Sequence, residues 1–79
     1  MSPTILKEEG YRFFFFSREE SRMHIHVICA DGEVKFWLEP KIELAKNYNL
    51  SHMQLREIEN IIKVHYDDFK NAWKGYQKS

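Results

Sequence analysis

Between residues 23 and 40, apolar and polar positions alternate on both sides of Asp31-Gly32, the pattern of two strands joined by a tight turn. Asp-Gly between alternating runs favours a two-residue type I′ turn, because both residues tolerate the positive φ that this turn requires. Such a turn pairs Ala30 with Glu33 and carries the register outward to Cys29 with Val34, Val27 with Phe36 and Ile25 with Leu38. These residues form one apolar face. Strict alternation places His24 opposite Glu39, His26 opposite Trp37 and Ile28 opposite Lys35 on the other. The pattern predicts a core behind the hairpin and an exposed His-His-Trp-Lys-Glu surface in front of it.

Residues 4–6 and 11–17 read as two further strands joined through Glu8-Glu9-Gly10, where Gly10 is able to turn at positive φ. The phenylalanines at 13–16 place two rings on each face, which marks a strand buried on both sides. Residues 18–22 form a charged loop, and Pro40 ends the second arm of the hairpin. Residues 41–49 fit two patterns. Ile42 and Leu44 suit an extended segment, whereas Ile42, Ala45 and Tyr48 suit about two helical turns.

From Ser51 onward the period changes to that of a helix. Ser51 and Gln54 have the spacing of a capping box, and Leu50 and Leu55 that of a hydrophobic staple. Leu55, Ile58, Ile62, His65, Phe69, Ala72 and Tyr76 recur at intervals of three and four, with Ile61 and Trp73 on the flanks of the stripe. One long helix over 51–76 is predicted, with fraying over 77–79. The expected fold is therefore α+β: a mostly antiparallel sheet of about four strands packed on one long C-terminal helix. It forms a single domain, with strand hairpins over 4–39, a connecting segment over 40–50 and the helix after it.

Twelve basic side chains balance twelve acidic ones in the 79 residues, so no overall field attracts nucleic acid or anionic lipid. Any contact with RNA has to be local. The longest apolar run is too short to span a membrane, and the N-terminus lacks a basic region leading into an apolar signal core. A cytoplasmic protein is expected. The single cysteine, Cys29, lies on the apolar face and reads as a small buried hydrophobe.

His24 and His26, two apart on one strand, place two imidazoles on the same face roughly 7 Å apart. Zinc normally takes three or more protein ligands, and that face adds only Glu39, so neither a metal nor a cofactor is expected. Beside Lys35 the pair has the makings of an acid–base centre for cleaving RNA, in which one ring activates the 2′-hydroxyl and the other protonates the leaving oxygen. Lys35 or Arg12 would stabilise the phosphate charge. The candidate catalytic residues are thus His24, His26 and Lys35, and the candidate binding residues are Arg12, Trp37 and Glu39. Local packing of both histidines against Trp37 is the alternative. Trp73 and His65 belong to the helix stripe and read as core or core margin.

The opening Pro3-Thr4-Ile5, the aromatic strand at 11–16, His24-x-His26-Val27, Phe36-Trp37-Leu38-Glu39-Pro40, Leu44-Ala45 and a helix ending near Trp73 follow one another in a recognisable order. Together they resemble the small bacterial domain-of-unknown-function family numbered 4160, over nearly the whole chain. Where that family usually has prolines just before the H-x-H, this chain has Arg22-Met23. The resemblance implies a component of a gene pair like those of toxin–antitoxin systems, acting with a cognate small protein encoded nearby. An endoribonuclease using His24 and His26 is the first alternative, and a non-catalytic module that dimerises is the second.

Overall fold

The structure, a computed structural model, describes residues 4–16 and 21–77. The opening Pro3, Ser17, most of the charged loop and the last two frayed residues lie outside these, and the second strand, expected to run on to Ser17, ends at Phe14 with Phe15 and Phe16 beyond it. Five strands follow one another as β1 (Thr4–Glu8), β2 (Tyr11–Phe14), β3 (His24–Ile28), β4 (Glu33–Trp37) and β5 (Glu43–Tyr48), and two helices complete the chain, α1 (His52–Val64) and α2 (Tyr66–Gln77). Each strand pairs antiparallel with its neighbour in sequence, giving the order β1-β2-β3-β4-β5. The α+β class holds, with two corrections. The sheet has five strands rather than four, because the segment that fitted two patterns is extended, and the long helix is two helices.

The central hairpin is also registered differently. His24 pairs with Trp37, Ile25 with Phe36, His26 with Lys35, Val27 with Val34 and Ile28 with Glu33, so the Asp31-Gly32 register expected from a two-residue turn is displaced by two positions. The loop closes through the Cys29 N–H, which donates to the Gly32 carbonyl at 3.0 Å. A displacement by an even number keeps every side chain on its expected face. The cause lies in the backbone. Positive φ occurs at Glu9, Gly10 and Asn49 among the described residues, so Asp31 and Gly32 do not adopt a type I′ turn. That conformation falls instead at Glu9 (φ 53°) and Gly10 (φ 84°), which join the directly paired Glu8 and Tyr11. The Asp31-Gly32 loop leans on the junction between β5 and α1. Asn49 donates its side-chain amide to the Asp31 carbonyl at 2.9 Å, and Gln54 donates to the Asp31 carboxylate at 2.8 Å.

The helix begins as its sequence requires. The Ser51 hydroxyl accepts from the Gln54 N–H at 3.2 Å while the Gln54 side chain accepts from the Ser51 N–H at 2.9 Å, closing the capping box. It breaks at His65, whose backbone (φ −104°, ψ 18°) leaves the helical region. No Gly or Pro marks the spot. Asp67 and Asp68 stand in the first turn of α2, where carboxylates complement the positive end of a new helix. The Tyr66 hydroxyl donates to the Leu38 carbonyl at 2.6 Å, and the His65 ring lies 3.1 Å from the Glu8 carboxylate, so contacts to the end of β1 and to the residue after β4 hold the break in place.

The two helices cover one face of the sheet. Phe13, Phe15, Ile25, Val27, Val34, Phe36 and Leu38 bury themselves there against Ile58, Ile61, Ile62, Phe69 and Trp73. Phe13 stacks on Phe69 with centroids 5.5 Å apart, and Phe15 meets the Trp73 ring edge-on at 5.1 Å.

Candidate functional site

The opposite face collects the side chains singled out for chemistry, but it does not display all of them. His24, His26 and Lys35 are 0%, 7% and 8% exposed, which corrects the expectation of an open surface. His24 is enclosed by Trp37 at 5.8 Å, Trp73 at 5.2 Å and His26 at 5.4 Å between ring centroids. The His24 Nδ1 lies 2.7 Å from the Arg22 carbonyl. A carbonyl only accepts, so Nδ1 is the atom that carries the proton. His26 stacks on Phe14 at 5.6 Å, meets Phe16 edge-on at the same separation, and sets its Nδ1 3.5 Å from the Glu33 carboxylate.

Trp37 is half-buried between two cations. The Arg22 guanidinium sits 4.1 Å from the ring centroid and the Lys35 ammonium 4.6 Å from it, both within the range of cation–π attraction. Arg22 also donates from Nε to the Glu39 carbonyl at 2.8 Å and lies 3.8 Å from the Glu43 carboxylate. The Glu39 carboxylate accepts from the Met23 N–H at 2.8 Å, which clamps the open end of the β3–β4 hairpin. Arg12 spreads over the Phe14 ring at 5.0 Å and donates to the Thr4 hydroxyl. The structure thus brings His24, His26, Lys35 and Trp37 together, sets Arg12 to one side beyond Phe14, and gives Glu39 a bracing contact.

Sequence reasoning missed the part of the face contributed by β5. Lys46 pairs directly with Lys35, and Tyr48 with Glu33. With Phe16 and His26 these residues line a cavity of about 150 Å³. Reading residues 43–48 as a strand is the signal that would have found it, since Lys46 and Tyr48 then share a face. Among the described residues, five cationic side chains (Lys7, Arg12, Arg22, Lys35, Lys46) stand on this side against the carboxylates of Glu33, Glu39 and Glu43. A chain with no net charge therefore carries a locally basic face.

Other polar contacts join the helices to the sheet. The Tyr11 hydroxyl donates to Glu57 at 2.6 Å, and its ionisation is pushed upward, first by burial and then by the hydrogen bond to the Glu57 carboxylate. His65, between Glu8 and Asp68 (3.6 Å), braces the helix break from the margin of the core. Among the described residues, no three His, Cys, Asp or Glu side chains converge as metal ligands, and no helix is long and apolar enough to cross a membrane.

Fold and face together define a small α+β domain in which a five-stranded antiparallel meander is covered by helices on one side and carries aromatic and basic side chains on the other. The chain belongs to the family described as Domain of unknown function (DUF4160), whose model matches residues 10–74. No curated protein and no solved structure matches it.

Proposed function

We propose that this protein is a recognition module that acts with a cognate small protein, as one member of a pair of the toxin–antitoxin kind. The observation that carries the reading is the Trp37 platform. Arg22 and Lys35 flank a half-buried indole on a sheet, and large aromatic rings set among polar neighbours are the usual anchors of protein interfaces. Tyr48, 56% exposed, and Phe16, 53% exposed, extend the apolar area of the same face. The gene-pair context comes from the family resemblance.

The burial of His24 favours binding over the endoribonuclease reading. An acid or base must reach the proton it transfers, and this ring is enclosed with Nδ1 committed to the Arg22 carbonyl. Co-expression of the chain with the product of the adjacent gene, followed by affinity purification, tests the proposal. A stoichiometric complex is expected, and a Trp37→Ala/Tyr48→Ala variant with an unchanged circular dichroism spectrum should lose it. Failure of the two products to co-purify overturns the reading. Cleavage of RNA by the purified chain, abolished in His26→Ala, would replace it with the enzymatic one.

A further inference from the structure

We infer that the free edge of β5, together with the groove between it and α1, binds a short extended peptide with an apolar centre and acidic ends, added to the five-stranded sheet as one more strand. This surface lies on the helix side of the sheet, away from the Trp37 platform, and the inference does not depend on the pairing proposed above. β5 is the last strand in the sheet order, so among the described residues only one of its two edges has a strand beside it. Its residues are exposed apart from Ala45. Leu44 pairs with the core residue Phe36 and so faces the helices, yet it is 43% exposed. The helical layer therefore stops short of this edge. What it leaves is a groove of about 250 Å³ with apolar walls from Phe36, Ile42, Leu44 and Leu55, and with Arg56 and Glu59 beside them. A strand edge next to such a groove is the setting for strand addition, in which main-chain hydrogen bonds supply affinity and the groove takes alternate side chains.

Charge and shape select the occupant. Ile42 also lines a second hollow, which adds Lys41 and Lys63, so Arg56 stands on one side of the apolar stretch and Lys41 on the other. The carboxylates nearby are already engaged, Glu59 by Lys63 at 3.5 Å and Glu43 by Arg22 at 3.8 Å. Among the described residues, no ion pair engages Arg56 or Lys41. Positive charge is thus left over at both ends of the apolar stretch, and it is complemented by carboxylates at both ends of the incoming segment. A second copy of this chain fits less well. Two copies joined edge to edge at β5 would bring both Arg56 and both Lys41 side chains to one seam. The ladder to β4 also skips Ala45, and a bulge there bends the strand out of the flat run that two whole sheets need to pair, while leaving room for a short segment.

The test is a titration of the isotope-labelled full chain with the peptide acetyl-Asp-Glu-Val-Thr-Val-Glu-Asp-amide, followed by amide chemical shifts. Saturable shifts are expected over β5 and along the facing side of α1 from His52 to Glu59. Only one edge of an added strand faces β5. Of two peptides N-methylated at alternate residues, one along each edge, one should therefore lose at least about tenfold in affinity and the other should keep it. Arg56→Glu should weaken binding at least about tenfold by setting like charges together, and Leu44→Ala about tenfold by removing apolar contact. Lys74→Glu on α2 should leave it unchanged. Leu44 and Arg56 are exposed positions, and circular dichroism checks that each variant is folded. The inference is overturned if no saturable shift appears by about 1 mM peptide, a very weak association. Equal effects of the two methylated peptides, equal losses in Arg56→Glu and Lys74→Glu, or undiminished binding of a peptide with Lys at the acidic positions would overturn it as well. So would a dimer of the chain, seen by sedimentation, that the peptide fails to dissociate. Co-purification with the adjacent gene product is measured separately, so its failure and the failure of peptide binding are told apart.

Discussion

A Cβ on Gly32 would overlap the carbonyl oxygen of Tyr48, so the β3–β4 loop and the end of β5 meet at bare backbone. The obstructing atom belongs to the main chain and cannot rotate away. Gly32→Ala is therefore expected to destabilise the fold by about 1–3 kcal/mol, the usual cost of overpacking. Urea melts of Gly32→Ala beside Gly10→Ala check the cause. Gly10 faces open space, and its alanine variant should lose only about 1–2 kcal/mol from its positive φ. An unperturbed Gly32→Ala midpoint would mean that the loop does not seat against β5.

Ile62 is fully buried in the cluster where α1 meets the sheet. Ile62→Ala is expected to cost about 2–5 kcal/mol, from lost transfer energy and the cavity left behind. Denaturant unfolding measures it, and a loss under about 1 kcal/mol would show that this helix face is not the packed one.

Tyr11 gives the fold an alkaline limit. Burial and Glu57 raise its folded-state pKa above the unfolded value of about 10. Below that value both states keep the proton and the contribution is fully present. Above it the unfolded chain ionises first, and stability falls as pH climbs toward the folded value. Tyr11→Phe should lose about 1 kcal/mol near neutrality with the Glu57 hydrogen bond, and should show a shallower decline above about pH 10. Urea midpoints at a series of pH values distinguish the two slopes.

The two histidines should separate from the outer face in their effect on stability. His24 is enclosed by aromatic rings, and His24→Ala is expected to cost about 2 kcal/mol or more, as truncation of a buried ring does. His26→Ala should also destabilise, through the stack on Phe14. Tyr48→Ala, at an exposed site, should stay within about 0.5 kcal/mol. Thermal melts of the three variants give the order directly.

Face assignment was legible from alternation alone, because parity survives a displaced register: Val27 and Phe36 face the core and His26 and Trp37 do not, whichever residues are paired. Register itself was not legible. Gly32 answers to Tyr48, sixteen positions away, rather than to its own turn, and a local signal carries no information about that neighbour. The capping box was readable because both partners lie within one helical turn. The break at His65 depends on Glu8 and Leu38 across the sheet, so the uninterrupted apolar stripe concealed it. Burial of His24 depends on Trp73 at the far end of the chain, and Lys46 and Tyr48 joined the site only once β5 was known to be a strand.

Every strand pairs with the one before it, whereas the residues that close the core lie in the last third of the chain. On a ribosome the sheet can be assembled in order as it emerges, with its apolar side bare until α1 and α2 arrive. Tyr11 waits for Glu57 and Glu8 for His65, contacts separated by 46 and 57 positions. A nascent chain stalled before Ser51 would hold a nearly complete meander with Phe13, Phe15, Val27 and Phe36 open to solvent, a surface suited to chaperones and to aggregation.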